Sequence, residues 1–328
     1  MPTTALTRPL VTSLVEDAVT APSMHNAQPW RFVHVAETDT VELHGDPGRG
    51  LPREDPDHRA LHIGCGAALF GLRVAAAHSG LRAATRLLPD PGDAWHLADA
   101  RLTGADAEEA DLQPLHTALP RRHTSRFPFS DERVPEEILD GLRAAALLEG
   151  CRLVVPDPWH TDAVLELVHD SERFEASDEA VRAEIAAWTR TGAAGEKATE
   201  GIPSYAFGPR QYDVTSPVRD FDASRRDASR ASAPFEKRPQ IVLLSTADDT
   251  PEAWLRSGEA MQRVLLQATL DGLSTSLLSQ PLEWPELRSL VRDPQSEARF
   301  VQMVIRVGYG PTGRPTPRRP ASEVLTVR

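Results

Sequence analysis

Apolar residues recur at Leu10, Leu14, Val15 and Ala18 behind Pro9, the spacing of one helical face opened by a residue whose missing N–H costs nothing in a first turn. This predicts a helix over residues 9–21. After the turn-forming stretch APSMHNAQP, WRFVHV and TVELHG alternate in the two-residue rhythm of strands and read as a hairpin across AETD. A polar, proline-containing loop follows. Residues 58–79 then carry a long apolar helix rich in small side chains (Gly64, Cys65, Gly66, Ala67, Ala68, Gly71, Ala75, Ala76, Ala77), closed by Gly80 at the position of a left-handed cap. LRAATRLLP and WHLADARL read as strands, and residues 105–119 as a polar helix.

The same succession continues beyond residue 120. Pro135 opens a helix, CRLVV follows as a strand, and residues 160–172 and 178–190 are helical. Residues 191–238, rich in Gly, Pro, Arg and Asp, read as a long ordered loop or lid, since structureless stretches of that length in a compact domain usually serve function. QIVLLST is a strand, residues 251–271 a helix, FVQMVIRVGYG a buried strand, and PTGRPTPRRPASEVL a basic, turn-forming tail.

GAALFGLRVAAAHSGL (residues 66–81) and GEAMQRVLLQATLDGL (258–273) agree at the opening Gly, at Ala68/Ala260, at Ala76/Ala268 and at the closing Gly-Leu. Pro9 with its helix and strand likewise matches Pro135 with its helix and the strand CRLVV. The two matches differ in offset by about 66 residues, which places extra chain in the second half between its first strand and its long helix. Two halves are therefore expected, residues 1–120 and 121–328, the second carrying an insertion around residues 158–238. They are complementary, for only the first holds APSMHNAQPW and only the second RRHTSR.

Composition narrows the function. With 328 residues, 40% hydrophobic and 26% charged, the chain has the material for a large core. A net charge of −12 disfavours nucleic-acid and anionic-membrane partners. No apolar run is read as approaching the length of a membrane span and no signal pattern is seen at the start, so a cytoplasmic protein is expected. Cys65 and Cys151 lack any partner spacing; both are read as buried hydrophobes, with no disulfide and no metal site expected. Lysine occurs only at positions 197 and 237, so abundant arginine carries little meaning by itself.

The segment APSMHNAQPWRF could be no more than a helix end closed by local Ser and Asn hydrogen bonds. It resembles, however, the A-P-S-x-x-N-x-Q-P-W signature of FMN-dependent nitroreductases and flavin reductases, with a complete match at Pro22, Ser23, Asn26, Gln28 and Trp30. RRHTSRFPFSDERVP resembles the family's second signature. The resemblance implies an α+β fold that in the family is a homodimer with FMN at the subunit interface. Here it implies two pseudo-symmetric halves, each with a mainly antiparallel sheet and helices, that mimic the dimer in one chain. One flavin site and a monomer are then expected, an arrangement similar to the Acg-type subgroup of actinobacteria, whose members carry a lid over the flavin.

By the same resemblance, Arg122 and Arg126 would hold the phosphate, and His123 and Thr124 the ribityl chain and pyrimidine edge. Pro22, Ser23 and Met24 would face the ring, with Asn26 and Gln28 supplying amide groups; Trp30 is read as core. GLSTSLLSQPLE falls where the family has a Gly-Leu-x-x-x-Pro-x-Glu-Gly turn, but Leu277, Ser279 and Gln280 stand at the family's Pro, Glu and Gly. Leu277, Leu278 and Ser279 are accordingly read either as flavin contacts or as strand core. Arg318 matches the family's C-terminal basic segment, with Arg314 and Arg319 as neighbours. The implied activity is transfer of reducing equivalents from NAD(P)H through FMN to a small acceptor such as a nitroaromatic or quinone, and no catalytic side chain is assigned. The alternative is an FMN-sequestering or sensing protein with a lid over the ring.

Overall fold

The computed structural model describes residues 6–104, 110–192, 197–211, 218–222, 230–292 and 299–328. Helix α1 (Arg8–Ala18) starts at Thr7, whose Oγ1 accepts from the Leu10 amide, and buries Val11, Leu14, Val15 and Ala18. The hairpin β1 (Trp30–Val35) and β2 (Thr40–Gly45) follows in the expected register, Phe32 opposite Leu43. Helix α2 (Arg59–His78) leads through Gly80, at φ +72°, into β3 (Leu81–Leu87) and then β4 (His96–Gly104).

In the second half, α3 (Glu136–Leu148) and β5 (Arg152–Val154) precede the insertion, which opens with α4 (Pro158–Ser177) and α5 (Glu179–Ala187). Strand β6 (Gln240–Thr246), helix α6 (Pro251–Leu270), strand β7 (Ser274–Leu278), the short helix α7 (Gln280–Glu283) and strand β8 (Phe300–Gly308) complete it. Gly272, at φ +77°, turns α6 into β7 as Gly80 turns α2 into β3.

Three readings of the sequence are corrected. Among the described part of residues 105–119 there is a 3-10 turn, Gln113–Ala118, in place of a helix; residues 105–109 lie outside the description. The tail is more than turns. It forms a short helix (Ala321–Val324) and a strand, β9 (Leu325–Val327), which pairs parallel to β1 with Leu325 opposite Phe32. Helix α2 does reach a membrane-spanning length, at 20 residues and a mean hydropathy of 1.5, but its apolar window is 94% buried inside the protein, which accounts for its composition.

These strands make two sheets, β9-β1-β2-β4-β3 and β7-β8-β6-β5, antiparallel except for the β9–β1 pair, and the insertion adds two short parallel pairs, Thr189–Arg190 with Ile202–Pro203 and Arg210–Gln211 with Ser232–Ala233. Together with the helices they give an α+β architecture. Between the sheets, α2 packs on α6 so closely that a Cβ on Gly66 would stand 2.0 Å from the Leu255 carbonyl oxygen, and one on Gly258 would stand 2.1 Å from that of Ile63. Only hydrogen fits at either crossing point. A continuous core runs from Val11 and Trp30 through α2 to Leu255, Val264 and Ile305, so it spans residues from both halves. Cys65 and Cys151 are buried free thiols, and burial pushes their pKa values up, that of Cys151 to about 12.

Candidate functional site

The turn after α1 is held in a costly backbone. His25, Asn26 and Gln28 all lie in the left-handed region, at φ +48°, +56° and +53°, where side chains other than glycine are strained. Ser23 Oγ accepts the Gln28 amide at 2.9 Å and helps hold this shape. Asn26 Nδ2 donates to the carbonyls of Gly201 and Pro317, each at 3.0 Å, while Gln28 Nε2 donates to that of Thr199 at 2.8 Å and its Oε1 accepts from the Arg319 amide at 2.8 Å. The turn thereby fastens the insertion and the C-terminal arm to the first half.

Across from it, residues 122–126 are seated on β7. Thr124 bridges Thr275, and the Ser125 amide donates to the Thr275 carbonyl at 2.8 Å. The arm presses on the same segment, for a Cβ on Gly313 would lie 2.1 Å from the Thr124 carbonyl oxygen.

Between these walls runs a cavity in two connected parts. The larger is lined by Pro22, Ser23, Met24 and His25, by the start of α2 (Arg59, Ala60, Ile63, Gly64), by Ser276, Leu277, Ser279 and Gln280, and by Val218, Arg219 and Phe221 of the insertion. The smaller is lined by Asn26, Arg122, His123, Ile202, Arg314, Thr316 and Arg318. Pro22, Ser23, Thr124 and Arg126 line both.

The smaller part is uncompensated positive charge. None of Arg122, Arg126, Arg314 and Arg318 is paired to a carboxylate among the described residues, and Nε and Nη1 of the buried Arg122 and Nε of Arg318 have no hydrogen-bond partner. Burial lowers the guanidinium pKa of Arg122 and Arg126 to about 10; burial and the neighbouring Arg122 lower that of Arg318 to about 9. Burial, Arg122 and Arg318 together drive His123 down to about 4. Buried donors left open at this cost are suited to an anion of high charge density.

The larger part differs in chemistry. Arg219 enters it and meets Glu54, Glu175 and Glu283, and His25 Nε2 lies 2.7 Å from Glu54 Oε2. Burial raises the Glu283 carboxyl to about 8; in Glu54 the same burial is outweighed by His25 and Arg219, which leave it below the ordinary range.

Most residues singled out from the sequence come together on these walls. Gln28 and Leu278 do not, for Gln28 is fully buried behind the turn and Leu278 packs in the core with Val164 and Ile241. Trp30 is core. Arg319 is spent on Gln28 and Glu323, and exposed Arg314 lies over Tyr205 with its guanidinium 4.5 Å from the ring centroid. Sequence reasoning missed His25, although it lies inside the quoted signature, and also Glu54, Arg59, Arg219, Gln280 and Glu283. Their one sequence signal is charge embedded in apolar or proline-rich context, as in LPREDP and SQPLEWP. Away from the cavity, Glu42, His44 and His96 bring side-chain atoms within 4.8 Å of one another on the first sheet, where His44 pairs with Glu42 and His96 with Asp99.

The model of the nitroreductase family matches residues 119–309. The Mycobacterium tuberculosis protein named "Putative NAD(P)H nitroreductase acg" is 33% identical over the whole of this chain and 98% of its own length, and a second protein of that species with the same designation is 34% identical over 94% of this chain and 88% of its own. Among solved structures, the FMN-dependent nitroreductase NfnB from Mycobacterium smegmatis in complex with NADPH covers 66% of this chain and 99% of itself at 17% identity, with a TM-score of 0.38. Full-length identity to the curated relatives and a family match over more than half its residues establish that the chain belongs to the nitroreductase family.

Proposed function

We propose that the cavity binds FMN and that the protein passes reducing equivalents from NAD(P)H to a small acceptor. The observation that carries this reading is the pair of open donors on buried Arg122. A phosphate dianion would accept from one of these donors and supply the negative charge that Arg126 and Arg318 also lack, leaving the other donor to a further oxygen of the same ligand. Thr124, which lines both parts of the cavity, and His123 beside it in the smaller part would hold a polyol chain. Pro22, Ser23, Met24 and Leu277 give the larger part a mixed polar and apolar wall suited to a flat ring. Asn26 and Gln28, by this reading, act by holding the turn, and Leu278 by packing behind β7. Bound FMN would supply the hydride-accepting and hydride-donating chemistry; the chain binds it, orients it and limits access to it.

The one-chain arrangement reads as a fused dimer. Gly66 and Gly258, matched in the internal repeat, face each other at the α2–α6 crossing, as counterparts on a two-fold axis must. Each signature occurs once, so about one FMN per chain is expected, and no second chain is needed to complete the site.

A second reading is favoured by a separate observation. Val218, Arg219 and Phe221 of the insertion line the larger part of the cavity, and Phe221 lies within 5.5 Å of the His25 ring centroid. A segment in that place would restrict nicotinamide and make the protein a holder of flavin. Anaerobic addition of NAD(P)H to purified, yellow protein decides between the two. Loss of flavin absorbance supports the oxidoreductase; flavin retained at about one per chain but never bleached supports sequestration. Protein that takes up no FMN would overturn both.

A further inference from the structure

Three carboxylates from three separate elements converge on one guanidinium at the larger part of the cavity, which Glu54 and Glu283 line and Glu175 backs. Glu54 comes from the loop before α2, Glu175 from the last turn of α4, and Glu283 from the end of α7. Their side chains are 1%, 11% and 3% accessible. Buried carboxyl groups so close oppose one another's ionisation unless a cation stands between them. One guanidinium meets all three: Arg219 Nη1 lies 2.9 Å from Glu54, and Nη2 lies 2.8 Å from Glu175 and 2.5 Å from Glu283.

The arrangement is uneven in two respects. A guanidinium is well matched by one carboxylate fork, yet three are provided, and apart from Ser279 no other side chain among the described residues serves Glu283 Oε1. Glu54 and Glu283 belong to the approach to α2 and to α7, outside the insertion, and Glu175 to α4 at the insertion's start, whereas the cation arrives on residues 218–222, far along it. The acidic set is thus built into the walls, and its counter-ion is carried by a separate segment that also brings Phe221 against the cavity.

We propose that Glu54, Glu175 and Glu283 form a subsite for a cationic group on the acceptor, an amidinium, guanidinium or primary ammonium attached to a flat apolar body. Arg219 fills the subsite as a stand-in when that acceptor is absent. The cationic arm would displace Arg219 and with it Phe221, so that recognition and opening are one event. Neutral acceptors lack the charge to compete, and anionic ones are repelled by the trio. This inference rests on reading the larger part of the cavity as the acceptor pocket.

The test uses flavin-loaded full-length protein with Arg219→Ala, titrated calorimetrically with methylguanidinium chloride at ionic strength fixed by sodium chloride. Saturable one-to-one binding is expected, at least about tenfold tighter than in wild type and lost when Glu283→Gln is added. A folded, yellow Arg219→Ala protein without saturable binding, or with binding unaffected by Glu283→Gln, overturns the subsite and leaves the cofactor reading intact. Colourless wild-type protein that takes up no FMN overturns the cofactor reading instead. If Arg219→Ala does not fold, wild type alone suffices: benzamidinium chloride should speed proteolytic cleavage within residues 197–222 at least about tenfold over benzyl alcohol, by shifting the population of the displaced segment. Equal cleavage rates would overturn the proposal.

Discussion

Arg122 and Arg318 donate to one acceptor, the Thr20 carbonyl, each at 3.1 Å, so two guanidiniums from distant parts of the chain are held side by side. With no carboxylate between them, their repulsion is a standing cost of the protein without an anion. Replacing Arg122 by alanine should weaken FMN binding by about 1.5–3 kcal/mol, roughly ten- to hundredfold, as for other charged hydrogen bonds. The flavin-free variant should melt no lower than flavin-free wild type, because a buried unpaired charge has been removed. Fluorescence titration with FMN and thermal melts check the two halves of this statement.

His123 gives a pH signature. Its folded pKa of about 4 lies below the ordinary value near 6.5, so on acidification the unfolded chain takes up a proton that the folded one refuses. Stability therefore rises with pH between about 4 and 6.5 and is lost as pH falls through that window, by an amount softened by the solvent that reaches this half-buried ring. His123→Gln should flatten the dependence in melts of the flavin-free protein. A bound phosphate should flatten it in wild type as well, by supplying the missing counter-charge.

Gly66→Ala places a methyl 2.0 Å from a backbone oxygen of α6 and forces the two central helices apart. A loss of about 3 kcal/mol or more is expected, the upper range for overpacked cores. Gly258→Ala should do the same from the opposite side, whereas alanine at Gly141, which meets nothing within 4 Å, should be neutral or stabilising. Denaturant unfolding of the three variants tests the contrast.

Phe221→Ala should speed flavin reduction by NAD(P)H by at least roughly an order of magnitude if residues 218–222 restrict the ring cavity. Stopped-flow absorbance measures it directly. A reduction rate unchanged in the folded, flavin-loaded variant would take this segment out of the access pathway. Replacing residues 198–212 by a short Gly/Ser bridge probes the same idea more coarsely, since it also cuts the bonds from Asn26 and Gln28 to Gly201 and Thr199.

The helices and most strands were legible because their patterns are strong: the alternation of WRFVHV, the small-residue face of α2, the capping glycines Gly80 and Gly272. The C-terminal strand was not, since LTV is three residues behind a proline-rich tail and gains strand character only from β1 beside it. At the site, the two signatures led to the basic end of the cavity but not to the acidic one. Glu54, Glu175, Arg219 and Glu283 are far apart in sequence, each looks like an ordinary charged position, and only the fold makes them neighbours. Gln28 shows the converse, a motif residue whose part in the structure is to tie chain segments together.

The pairing of β9 with β1 also bears on the order in which the molecule can be assembled. The outermost strand of the first sheet is made from residues synthesised after every other strand of both sheets, so that sheet has an unpaired edge until these residues emerge. The first half cannot complete itself ahead of the second, and contacts of such long sequence separation slow folding. The same late segment carries Arg318 and Arg319 to Asn26 and Gln28, so final closure of the sheet and completion of the basic pocket are a single step at the end of folding.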